Sequence, residues 1–255
     1  MARQRCGDMS IDAGVNLFVV LPAAGADSAQ DATLPLRERN KQDRRRRILD
    51  AAEALVRETG ATEFSMAVLA KRARLSGPTP YNLFGSKSGV LYALLNRSLE
   101  SVLRRQGRSR VDPDPVAQVM AAARIAADVF AEDPAFYRPL YQFLLGVSDP
   151  AHRPRFLDRS LGYWQRALSA LDKAGQMPTP LARDALARQL VTHFIGALDL
   201  WVQSEIDDDE FRTQVAYGTG LLLLGLTNDA QRAPLLVRLR ALERRLPRRF
   251  AASEA

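Results

Sequence analysis

The sequence predicts an all-α protein, and three observations carry that expectation. Apolar residues recur at helical spacing from Asn40 onward, and Pro and Gly punctuate the chain at intervals that suit helices. No period-2 run of β-branched residues lies between turn signals, so no sheet is expected. With 255 residues and 47% hydrophobic content, the chain can build one large domain or two smaller ones.

The first 36 residues stand apart. Val15 to Leu21 is apolar and follows Arg3 and Arg5, a faint signal-peptide outline that Asp8 and Asp12 spoil. Residues 1–36 are therefore read as a disordered or misassigned extension, with Met9 as an alternative start. Neither this run nor Leu221 to Leu226 is long enough to span a membrane, so no membrane partner is expected.

The first helix carries Ile48, Leu49, Ala52, Leu55 and Val56 on one face and stops at Gly60. Ser65 is a candidate N-cap for a short second helix that buries Met66, Leu69, Ala70 and Ala73. Ser76 is a candidate cap for a third, which ends near Phe84 and Gly85. In that register Pro78 falls at N2, where its missing N–H is no loss, and Pro80 at N4, where it removes the first intrahelical bond. Phe84 is assigned to the core. Ser86 then caps a longer helix through Val90, Leu91, Leu94, Leu95, Leu99 and Val102. The loop "GRSRVDPDP", Gly107 to Pro115, marks a boundary, and further helices are expected near 115–132, 134–147, 154–174, 179–204, 208–227 and 231–246.

Charge points to an anionic partner for one part of the chain. Arg37 to Arg108 holds sixteen Lys and Arg against seven Asp and Glu, which accounts for more than the whole formal charge of +7. Three short helices in a basic segment, the last two joined by a tight turn, describe a helix-turn-helix. Ala70 must be small where the second and third helices cross, above a core of Leu69, Ala73 and Leu75. Metal chemistry finds little material: Cys6 is the only cysteine, and His152 and His193 are the only histidines. No Glu-x-x-His motif occurs, so an enzyme is disfavoured and no cofactor is expected. The lone cysteine fits a reducing cytoplasm.

The order of residues is more specific than the pattern. "ILDAAEALVRETGATEFSMAVLAKRARLSGPTPYNLFGSKSGVLYALL", Ile48 to Leu95, resembles the DNA-binding region of the TetR family of bacterial transcriptional regulators. The resemblance rests on the Ile-Leu-x-Ala-Ala opening, Gly60, Ser65-Met66, Leu69-Ala70, Leu75-Ser76, Thr79, Tyr81 and Phe84-x-Ser86-Lys87. It implies a DNA-binding domain over 37–87 and a helical regulatory and dimerisation domain over 88–250.

By that resemblance Thr79, Tyr81 and Lys87 hold phosphates, and Gly77, Pro78 and Asn82 face the bases. Asn suits a bidentate pair with adenine, while Gly and Pro offer shape and apolar contact. Ser65 and Ser76, at helix N-termini, join the surface, and Arg44, Arg45, Arg46 and Arg47 either follow phosphates or enter the minor groove from a disordered leading edge. Taken singly, an Arg run also reads as a solvated face, and a Tyr-Asn pair as packing. Many family members have Gly where Arg74 stands. In a left-handed conformation Arg74 would cost about 1 kcal/mol.

The resemblance further implies a repressor that binds a palindromic double-stranded operator as a homodimer and responds to a small-molecule effector. Tyr217 to Leu226, with Gly218, Gly220 and Gly225 among leucines, and the amphipathic Leu235 to Leu246 suit the dimer contact, or ordinary internal packing. Phe136, Tyr137, Tyr141, Tyr163, Trp164, His193, Phe194 and Trp201 are candidates to line an effector pocket, or plain core. An architectural DNA-binding or protein-interaction role without a ligand is the alternative.

Overall fold

The computed structural model describes residues 35–177 and 182–247. The expected extension lies outside the described residues up to residue 34; Pro35 precedes the first helix, and Leu36 opens it. The described residues are entirely helical and loop, without a strand among them. All belong to one compact unit.

The amino-terminal end is built from α1 (Leu36–Thr59), α2 (Met66–Arg72), α3 (Pro78–Phe84) and the start of α4 (Lys87–Arg108). Each boundary has a local cause. Gly60 takes a left-handed φ of 63° and returns its N–H to the Val56 carbonyl, ending α1. The Ser65 hydroxyl accepts from the Val68 N–H, and the Ser86 hydroxyl from the Gly89 N–H, so both expected caps form. Ile48, Ala52, Leu55 and Val56 are buried as their spacing requires, and so are Met66, Leu69, Ala70 and Ala73.

The larger end holds α5 (Pro115–Ala131), α6 (Pro134–Gly146), α7 (Arg153–Lys173), α8 (Arg183–Val202), α9 (Asp208–Leu223) and α10 (Asp229–Glu243). α9 packs chiefly on α5 and α8, and α7 on α8 and α5, which closes a single core. The sequence ran α9 on to 227; the structure turns it into one 3₁₀ turn, Leu224–Leu226. It also began α10 at 231, whereas Asn228 and Gln231 form a reciprocal capping box that starts the helix at Asp229. The start expected for α8 at 179 lies outside the described residues, and its described part begins at Arg183.

For the glycines of α9 the sequence left open a contact between copies or ordinary internal packing, and Gly218 and Gly220 serve the second. A Cβ at Gly218 would overlap the His193 ring of α8, with Nδ1 only 2.7 Å away. At Gly220 it would meet Leu239 Cδ2 of α10 at 2.8 Å. Both therefore let helices of the same chain approach. Gly225 has open space beside it, and Leu221 is 47% exposed.

Candidate nucleic-acid interface

The second and third helices are joined by a turn that the protein holds from outside. Arg74 has φ 54°, in the left-handed region where a residue with a Cβ is strained. Arg47 donates to the carbonyls of Ala73 at 2.7 Å and Arg74 at 2.8 Å, bracing that turn against α1. Arg45 donates to the Leu83 carbonyl at 2.6 Å and lies 4.3 Å over the Phe84 ring. Phe84 is thus partly buried and joined to the core, as its sequence position suggested.

These contacts correct the reading of the arginine run as one phosphate-binding block. The run lies within α1, not on a leading edge, and helical geometry sends neighbouring residues to different faces. Arg45 and Arg47 are committed to backbone carbonyls. Arg44 and Arg46 are exposed; Arg44 donates to the Asn40 carbonyl at 3.1 Å, and Arg46 pairs with Asp43 at 2.5 Å.

The start of α3 also differs from expectation. Ser76 does not cap a backbone N–H through its side chain. Its hydroxyl lies 2.7 Å from that of Thr79, and its carbonyl accepts from the Thr79 N–H at 3.0 Å. Gly77 already has helical angles, φ −49° and ψ −45°, and Pro78 opens the assigned helix. Pro80 has no N–H to give the Ser76 carbonyl, so Thr79 supplies one in a tighter, 3₁₀-like bond. The two prolines thus set a compact first turn without leaving that carbonyl unpaired.

This turn sorts the side chains. Pro80 is buried beneath the helix, while Gly77, Pro78 and Asn82 are exposed and Tyr81 is 54% exposed. Thr79 is half-buried and tied to Ser76. Ser65 is exposed at the start of α2. Lys87 opens α4 half-buried, its ammonium 5.9 Å from the Phe64 ring centre. Gly77, Pro78, Tyr81 and Asn82, at i, i+1, i+4 and i+5, therefore lie on the exposed side of the helix, away from buried Pro80.

A second site lies inside the larger end. Side chains from α4 to α8 enclose a cavity of about 60 Å³. Four of the aromatic candidates line it: Tyr141, Tyr163, Trp164 and Phe194. Four do not. Phe136 sits under Arg57, whose guanidinium lies 4.6 Å from its ring, and Tyr137 packs between Phe136 and Phe130. Trp201 stacks on Phe211 at 5.1 Å and donates to Asp208, and His193 lies against Gly218. Sequence reasoning missed Leu99, Val102, Ala126, Phe130, Leu144, Phe156, Leu157, Ser160, Val191, Ile195 and Leu198. Their helical spacing is that of any core residue.

The cavity carries no formal charge. Burial pushes the Tyr141 and Tyr163 phenols up, so both stay neutral, and Tyr163 donates to the Ala122 carbonyl at 2.8 Å. The Ser160 hydroxyl donates to the Phe156 carbonyl. Among the described residues no group of three or more His, Cys, Asp and Glu is placed to hold a metal, and no helix is long and apolar enough to cross a membrane.

Known proteins share these features. The family model described as bacterial regulatory proteins, tetR family, matches residues 48–94, which span the end of the arginine-braced helix through the start of α4. The HTH-type transcriptional regulator BetI of Paraburkholderia xenovorans (strain LB400) is 25% identical over 185 residues, 70% of this chain and 90% of that protein. A TetR-family transcriptional regulator from Syntrophomonas wolfei has a similar solved structure, with TM-score 0.59 and 22% identity over 74% of this chain and 98% of that one. SmeT, the repressor of the Stenotrophomonas maltophilia multidrug efflux pump SmeDEF, gives TM-score 0.55 and 22% identity over 78% of this chain and 93% of its own. The matched segment coincides with the helix-turn-helix, so residues 48–94 carry the DNA-binding segment of the tetR family, and the fold is shared with solved TetR-family regulators well beyond it.

Proposed function

We propose that this chain is a cytoplasmic transcriptional repressor that grips a palindromic operator as a homodimer and is released by a small, largely apolar effector. Residues 37–87 would bind DNA, and 88–250 would dimerise and sense. The observation that carries the reading is the outward surface of α3, where Tyr81 and Asn82 are exposed while Pro80 anchors the opposite side in the core. In this arrangement Tyr81, Thr79 and Lys87 hold phosphates, Arg44 and Arg46 add charge, and Asn82 reads a base. It is a binding role rather than an enzymatic one.

Two-fold operators call for a two-fold protein. The outer strip of α9, with Leu221 exposed and Tyr217 and Leu222 half-buried, together with α10, where Val237 is exposed, supports a contact between copies. The uncharged, aromatic-walled cavity supports an apolar effector, and Leu99 and Val102 of its wall belong to α4, which begins beside the recognition helix. At about 60 Å³ the cavity is smaller than most ligand sites, so binding a drug-sized molecule would have to spread α4 to α8 apart. That movement is the proposed route of release.

The test is selection of bound duplexes from a random pool, repeated with apolar candidate effectors. A two-fold consensus, lost when an effector is added, supports the reading. A specific-to-nonspecific affinity ratio near one would favour an architectural DNA-binding role.

A further inference from the structure

The family match begins at Ile48, but α1 begins at Leu36, about three helical turns earlier. Arg37, Lys41, Arg44 and Ile48 follow one another at i, i+4, i+7 and i+11, which is a single stripe along the helix. From Ile48 onward that stripe is core, with Ile48, Ala52 and Leu55 buried. Ahead of Ile48 the same stripe is entirely cationic. A face built to meet protein would have stayed apolar; this one changes to charge where the domain beneath it ends.

The charged stripe does not face empty solvent alone. Arg37, Lys41 and Arg44 form one wall of a cleft of about 580 Å³, whose other wall is Thr79, Asn82 and Leu83 of the recognition helix. Among the described residues Glu38 is the one acid lining it, and it pairs with Lys41 at 3.6 Å. Among the described residues Arg37 has no acidic partner, and Arg44 meets only the Asn40 carbonyl. From Leu36 to Arg47 there are seven Lys and Arg against two Asp and Glu.

We propose that the overhanging part of α1 is a second DNA contact, lying along the phosphodiester backbone of the duplex that flanks the bases facing Asn82. This rests on the DNA-binding reading above and adds to it a surface ahead of the helix-turn-helix. Its length is about 18 Å, the axial rise of about five base pairs. Arginine and lysine at this spacing meet phosphates without reading sequence, so the overhang lengthens the bound site while leaving the consensus alone. Arg45 serves it indirectly, because its bond to the Leu83 carbonyl fixes the two walls of the cleft to each other.

The experiment uses the full chain and two forms of its selected operator, one trimmed to the half-sites and one with natural-length flanks. The combined Arg37→Gln, Lys41→Gln, Arg44→Gln protein is expected to bind the long duplex about 10- to 100-fold more weakly at low salt. Its plot of log affinity against log salt should be shallower by about 2 to 3 per bound subunit. Trimming should weaken the wild type but not the variant, and the preferred base at each position should be unchanged. Glu38→Gln, which removes the acid that lines the cleft beside Lys41, should tighten binding several-fold, a gain that misfolding cannot imitate. Wild-type affinity and slope in both variants would overturn the proposal while leaving the recognition helix in place. A wild type that binds no duplex would overturn both this contact and the DNA-binding function.

Discussion

The Arg45 guanidinium donates to the Leu83 carbonyl at 2.6 Å, tying the first helix to the last turn of the recognition helix. The same group covers the Phe84 ring at 4.3 Å, so one side chain closes the carbonyl end of that short helix and packs its aromatic residue. A seven-residue helix with two prolines has little stability of its own, and its orientation depends on such braces.

Arg45→Gln is therefore expected to lower stability by about 1–3 kcal/mol, from a lost charged hydrogen bond and cation–π contact. DNA affinity should fall with it, because Asn82 and Tyr81 lose their fixed direction. The salt slope should not change. Urea unfolding together with affinities at several salt concentrations checks this, and Arg44→Gln is the contrast, since it should flatten the slope and leave stability alone.

Arg74 offers the opposite change. Its φ of 54° is costly for any residue with a Cβ, and its carbonyl, not its side chain, is what Arg47 uses. Arg74→Gly should gain about 1 kcal/mol, a rise in Tm of about 2–4 °C for a domain of this size. Arg74→Ala should give no such gain, because it keeps the strained backbone. Thermal unfolding of the two variants separates conformational relief from loss of charge.

Much of this end of the molecule was legible because its signals are local. Gly60, Ser65 and Ser86 act within a few residues of where they stand, and the resemblance supplied their order. The division of Arg44 to Arg47 was less so. Helical spacing separates the four, but the carbonyls that claim Arg45 and Arg47 belong to residues distant in sequence. Ser76 misled for a different reason: its side chain could cap only if a free N–H followed, and Pro78 and Pro80 leave Thr79 alone to supply one. The cavity was half-read. Aromatic side chains pointed to Tyr141, Tyr163, Trp164 and Phe194, yet a cavity is a gap among five helices, and Leu99 or Ile195 beside it looks like any core residue.

Gly218 shows how a small residue can serve the inside of a chain. Adding a Cβ there would drive into the His193 ring, whose Nε2 is held by the Val215 carbonyl at 3.3 Å. Gly218→Ala is expected to cost about 1–3 kcal/mol by overpacking the α8–α9 contact. In a His193→Ala background the same change should cost little, so the double-mutant cycle is strongly non-additive. Gly220→Ala should cost less than Gly218→Ala, because it presses only on the tip of Leu239. Denaturant unfolding of the four proteins of the cycle, plus Gly220→Ala, measures both statements.

His193 also gives the fold a pH dependence of known sign. Burial holds its imidazole below the ordinary value of 6.5, and the bond to the Val215 carbonyl offsets only part of that effect. Above the unfolded value both states carry neutral His193, and its packing stabilises fully. As pH falls through that value the unfolded chain takes up a proton that the folded chain refuses, so stability declines until the folded value is passed. The difference in unfolding free energy between wild type and His193→Gln should therefore favour wild type more at pH 7.5 than at pH 5.5. Taking the difference cancels the contribution of every other group, which both proteins share. A pH-independent difference would mean that protonated His193 is accommodated in the folded chain, contrary to its packing against Gly218.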